Sequence, residues 1–109
     1  MIPELQNAIV AIGRICEEFG VLRLEAFGSA VDGEFDPEVS DFDFLIQYPP
    51  GHDLGPWMAE FHRLRERLEK LLGRKVDLVM AGALKNPYFI KEAGRTRIII
   101  YDATNRKVA

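Results

Sequence analysis

The stretch that most constrains the fold is Asp41-Phe42-Asp43-Phe44-Leu45-Ile46, where charge and hydrocarbon alternate before the pattern closes into an apolar run. Such alternation has a period of two, the period of a β-strand. If Asp41 to Gln47 is a strand, Phe42, Phe44 and Ile46 point into a core, while Asp41 and Asp43 stand side by side on the other face. Like charges that close repel, so a fold that places them there usually holds a cation between them. Carboxylate oxygens suit hard cations such as magnesium or manganese. Upstream, Gly28-Ser29 directly follows the apolar run Val21 to Phe27. Glycine allows close backbone approach after a strand, and Ser29 can cap a short helix through Ala30 to Gly33. The amides at the start of such a helix, with the serine hydroxyl, favour phosphate. Gly28 to Ile46 thus offers a phosphate cradle and a divalent-metal pair, the two parts that phosphoryl or nucleotidyl transfer needs.

The rest of the chain supplies the frame. Pro3 to Phe19 reads as an amphipathic helix with Leu5, Ile9, Ile12, Cys16 and Phe19 in one stripe, started by Pro3 and stopped by Gly20. Val21 to Phe27 is the first strand, with Leu22, Leu24 and Ala26 toward the core and Arg23 and Glu25 on the other face. Gly33, Asp36 and Pro37 mark the loop between the two halves of the motif. Tyr48 to Pro56 holds three prolines and two glycines and is a loop. Trp57 to Leu72 is the second long helix, its stripe formed by Trp57, Phe61, Leu64, Leu68, Leu71 and Leu72. Glu60, Glu66 and Glu69 interleave with Arg63, Arg67 and Lys70, which makes a solvated face rather than a nucleic-acid stripe.

Lys75 to Met80 is the third strand: Val76, Leu78 and Met80 face one way, Asp77 and Val79 the other. Strands neighbour one another at about 4.8 Å, so beside the second strand Asp77 would approach Asp41 and Asp43 and three carboxylates would meet on one or two ions. A short helix from Asn86-Pro87 to about Ala93, a final strand Arg97 to Tyr101 and a loose polar tail Asn105 to Ala109 complete the chain. Glu25 shares the acid-bearing face and reads as either a bystander or an extra acid near the metals, not as a ligand. His52 and His62 lack metal-type spacing and are expected at the surface. The expectation is an α+β, two-layer fold: a mixed sheet of about four strands, helices mainly on one face and the acid-bearing face partly open, in one domain over 1–109.

Composition narrows the function. The chain has 109 residues, 48% of them hydrophobic and 28% charged, which fits one globular core. A net charge of −3 argues against direct nucleic-acid binding, which draws on a basic face. One cysteine excludes an internal disulfide, so a reducing cytoplasm is expected, and Cys16 sits at core spacing. No apolar run approaches a membrane span, and no signal-peptide pattern opens the chain.

Gly28-Ser29, an intervening loop, Asp41-Phe42-Asp43 and the later Lys75-Val76-Asp77-Leu78-Val79 together resemble the signature of the DNA polymerase beta-like nucleotidyltransferase superfamily. The small size makes the minimal nucleotidyltransferases, the MNT antitoxins paired with HEPN-domain proteins, the nearest likeness. The resemblance implies the nucleotidyltransferase fold and an enzyme that moves a nucleoside monophosphate from a triphosphate, ATP first in expectation, to a hydroxyl of a HEPN-type protein partner. It implies that Asp41, Asp43 and Asp77 are catalytic and hold two magnesium or manganese ions, and that Gly28 and Ser29 hold the distal phosphates. Where minimal members often read Gly-Ser-Arg-Ala-Arg-Gly, this chain has Ala30 and Asp32. Lost positive charge there weakens the hold on a triphosphate. A competing reading is therefore a protein-binding module that silences its partner by covering it. A third, nucleotidylation of a small molecule, shares the chemistry but usually needs a further domain for the acceptor.

Overall fold

A computed structural model describes residues 2–32, 36, 41–81 and 97–104. Helix α1 (Pro3–Glu18) is followed by β1 (Arg23–Phe27), a four-residue α2 (Ser29–Asp32) and β2 (Phe42–Gln47). A 3-10 turn at Pro56–Met58 then leads into α3 (Ala59–Leu72), β3 (Val76–Met80) and β4 (Ile98–Asp102). The sheet runs β3-β2-β1-β4; β1 is antiparallel to both β2 and β4, and β2 is parallel to β3. This is the expected mixed four-stranded α+β architecture. The expected helix from Asn86 to about Ala93 and the expected tail Asn105 to Ala109 lie outside the described residues.

The two helices share the core face of the sheet. Leu5, Ile12 and Cys16 of α1, Leu64 and Leu68 of α3, and Phe42, Phe44 and Ile46 of β2 are fully buried in one cluster. The period-two reading of β2 and the period-3.6 reading of the helices therefore meet in the same core. Cys16 lies in this hydrocarbon, and burial pushes its thiol up to about 12, which leaves it unreactive. Outside the core, Arg67 joins the helices through Glu18 at 2.9 Å and stacks over Phe19. The carboxylate of Glu69 accepts the Val76 N–H at 3.1 Å and fixes the entry to β3. Among the described residues no helix is long and apolar enough to cross a membrane.

Three sequence expectations need correction. Trp57 does not extend the apolar stripe of α3: it is 93% exposed and precedes the helix, in a left-handed conformation shared with Met58. Gly55-Pro56 sets a turn here, and the helix starts only at Ala59. Leu71 is also exposed, while Leu72 beside it packs against the core. His52 is not a surface residue. Its half-buried ring stacks on Tyr48 at 5.0 Å, and its Nε2 has no partner among the described residues. Gly20, at φ +70°, makes room for that ring: a Cβ there would lie 2.9 Å from His52 Cε1.

Candidate active site

The site is built where three neighbouring strands present their open face. β1 ends at Phe27, whose register partner on β2 is Asp43. Asp43 is in turn paired with Asp77 on the parallel strand β3. Parallel pairing of Phe42–Ile46 with Val76–Met80 buries Phe42, Phe44, Val76 and Leu78 on the helix side. It therefore puts the two aspartates side by side on the other. Asp41 stands just before β2, half-buried, while Asp77 is exposed. Beneath the acids, Phe27 and Leu45 form a small apolar floor with Val79 packed against it.

Gly28 joins this row to the phosphate-cradle motif. Its φ of +77° turns the chain out of β1, and a Cβ at this position would lie 2.7 Å from Asp43 Oδ2. Glycine is thus required twice, for the turn and for the approach of the carboxylate. The Val31 N–H donates to the Gly28 carbonyl at 3.0 Å, and Ser29 opens α2 directly after the turn. Ala30 is 1% exposed and packed in the main core. Its side chain points away from any ligand on the open face, and its carbonyl accepts the Ile2 N–H at 2.9 Å. The departure from arginine at position 30 is therefore absorbed by packing.

The electrostatics follow from the crowding of acids. Burial, with the charges of Asp77 and Asp41 behind it, pushes the Asp43 carboxyl up to about 6. The site thus holds an excess of negative charge that a cation would relieve. The donor set, carboxylate oxygens alone, fits a hard divalent ion. Among the described residues, no group of three acidic, imidazole or thiol side chains forms a ready-made metal cage. The chemistry of the donors fits such an ion, while the cage itself is not closed.

Glu25 is held in ion pairs on this face. It is 8% exposed on the open face, beside the apolar floor, and pairs with Arg97 and, at 3.9 Å, with Arg23. Arg23 also reaches Asp102 at 3.3 Å. The Thr104 hydroxyl and N–H donate to Asp102, and these bonds, aided by Arg23, hold its carboxyl below the usual range. No motif marks Arg97. Its relevance arises from β4 lying beside β1, a pairing across more than seventy residues of chain that local pattern does not encode.

A sequence profile of the nucleotidyltransferase domain matches residues 10–105. The protein adenylyltransferase MntA of Thermococcus cleftensis is 44% identical over 86 residues, covering 78% of this chain and 82% of that protein. A candidate protein adenylyltransferase of Methanocaldococcus jannaschii is 40% identical over 75 residues, covering 69% of this chain and 71% of its own length. Among solved structures, a candidate minimal nucleotidyltransferase superposes with a TM-score of 0.69 at 32% identity, over 86% of this chain and 90% of that one. A toxin–antitoxin structure with AMP-PNP superposes with a TM-score of 0.66 over 98% of this chain and 80% of that one, and at 17% identity it shares the fold. With the profile spanning nearly the whole chain and a curated relative at 44% identity, the chain belongs to the nucleotidyltransferase domain family, as one of its minimal enzymes.

Proposed function

We propose that this nucleotidyltransferase moves a nucleoside monophosphate, from ATP first, onto a hydroxyl of a HEPN-type protein partner and so acts as the antitoxin of such a pair. The observation that carries the reading is the lateral pair Asp43–Asp77 on the open face, next to the Gly28-Ser29 turn. The names of the Thermococcus and Methanocaldococcus relatives support a protein acceptor. A fold neighbour solved as a HEPN toxin with its MNT antitoxin, at 15% identity, supports the kind of partner. The lone buried thiol supports a reducing cytoplasm as the setting.

In this reading Asp41, Asp43 and Asp77 would hold magnesium or manganese, two ions in all, which when bound would neutralise the polyphosphate charge. Ser29 and the backbone at Gly28 hold the distal phosphates. The acceptor hydroxyl docks over the exposed Asp77, which takes its proton as the oxygen attacks the α-phosphorus. The new P–O bond forms as the bond to the β-phosphate bridging oxygen breaks, and pyrophosphate leaves. An open acid-bearing face suits a protein acceptor, because no described element covers it.

The test incubates the chain with its HEPN-type partner, magnesium and each labelled triphosphate, followed by mass measurement of both proteins. A catalytic trace of the chain should add nucleotidyl mass to an excess of partner and silence it, and Asp41→Asn with Asp43→Asn should end both effects. Silencing that needs one chain per partner, ignores triphosphate and survives a chelator would instead establish the binding module.

A further inference from the structure

We propose that Arg97 is a phosphate-binding residue of this site, supplying from β4 the positive charge that the turn after Ser29 lacks; the inference rests on the nucleotide-transfer reading above. Ala26 pairs with Ile98, so Arg97, one residue earlier on the antiparallel strand, lies level with Phe27. Phe27 is paired with Asp43, and Asp43 with Asp77. A single row thus crosses all four strands at the end where β1 turns into Gly28-Ser29, with acids at one side and a guanidinium at the other. Arg97 is one strand from the turn that would hold the phosphates.

The pairing of Arg97 leaves it able to do this. Its Nε contacts Glu25 Oε2, and among the described residues no other carboxylate pairs with it. The guanidinium is a rigid fork, so a bond at Nε fixes where its terminal amino groups point. The side chain is 41% exposed, whereas the Glu25 side chain is only 10% exposed. Glu25 therefore anchors Arg97 from below. Arg23, which pairs with the same carboxylate, lies at the other end of β1, opposite Gln47 and Asp102, and is engaged with Asp102.

The row needs such a cation. Asp41, Asp43 and Asp77 repel a polyphosphate, and neither Ala30 nor Asp32 offsets them. Lys75 also lies near this end, just before β3, but β3 is two strands away from β1 and on the far side of the carboxylates. Arg97 instead precedes the strand that neighbours β1, from whose end Ser29 follows.

The experiment is calorimetric titration of a non-hydrolysable ATP analogue and of AMP, with magnesium, into wild type, R97Q, R23Q and the double variant E25Q/R97Q. Loss of a charge-assisted contact predicts about tenfold weaker triphosphate binding in R97Q, with AMP little changed. R23Q, which removes the other cation from Glu25, should bind as wild type does. The double variant removes the buried carboxylate together with its partner, so it keeps the test available if R97Q does not fold. It should lose triphosphate affinity as R97Q does. Recovery of wild-type affinity in the double variant would show that Arg97 serves only to neutralise Glu25 and would overturn the proposal. So would R97Q that binds as wild type, equal losses for triphosphate and AMP, or an equal loss in R23Q. Absence of triphosphate binding in the wild type would overturn both this inference and the reading on which it rests.

Discussion

The two faces of β2 are made by one stretch of chain and obey different rules. On one face Phe42, Phe44 and Ile46 are fully buried among hydrocarbon from both helices. On the other, Asp43 is held against Gly28 and beside Asp77, where its charge is disfavoured by burial and by its neighbours. The first face lowers the free energy of the fold. The second raises it, and the cost is borne by the packing on the reverse side of the same strand. Stability and chemistry are thus separated by a single peptide unit at each step along β2.

Truncation gives the largest expected effect. Phe44→Ala should destabilise the domain by about 3–5 kcal/mol, because a fully buried aromatic leaves a cavity that its neighbours fill only in part. Asp77→Ala, next door on the open face, should change stability by no more than about 0.5 kcal/mol, since its side chain is exposed. Urea denaturation of both variants measures the contrast. Comparable losses would mean that the open face carries more of the fold than its exposure indicates.

Gly28→Ala should come second and should strike both faces of the argument. An alanine must adopt φ +77° and place its Cβ 2.7 Å from Asp43 Oδ2. Backbone strain predicts a loss of about 1–3 kcal/mol, and the displaced carboxylate predicts weaker manganese-dependent nucleotide binding. Denaturation and a manganese titration read the two effects separately. A stable variant with intact metal binding would show that the turn can shift without the acid.

Much of this was legible in the sequence because it is periodic. The alternation in Asp41 to Ile46 and Lys75 to Met80, with two helical stripes, is enough to place the core and to put Asp41, Asp43 and Asp77 on one open face. What was hidden depends on contacts between distant segments or on turn geometry. Trp57 has the spacing of a core residue, yet Gly55-Pro56 places it before the helix begins. Of the two arginines that pair with Glu25, Arg23 is local, but Arg97 comes from just before β4, more than seventy residues along the chain. The register shift between β1 and β4 at Leu24/Glu25 similarly has no marker in the residues themselves. His52 reads as a surface residue of its loop, but Gly20, just past the end of α1, makes room for its ring, which stacks on Tyr48 of the same loop.

The smallest expected effect is the most specific to the open face. The Asp43 carboxyl is raised to about 6 in the folded chain, above its ordinary value of 3.8. Below 3.8 it is protonated in both folded and unfolded chains and costs nothing. As pH rises, the unfolded chain gives up this proton first, so the folded chain binds more protons and loses stability until pH passes about 6. Asn cannot titrate, so Asp43→Asn should be more stable than wild type above pH 6 and no more stable near pH 4. With allowance for solvent screening of a half-buried group, the gain is about 1 kcal/mol, or ~4 °C in Tm. Magnesium should reverse the order: it should stabilise wild type, whose carboxylates gain a counter-ion, and leave Asp43→Asn unchanged. Thermal melts at pH 4 and pH 7.5, with and without magnesium, test both signs at once. A gain that persists at pH 4 would assign the effect to packing, and a gain insensitive to magnesium would remove Asp43 from the metal set.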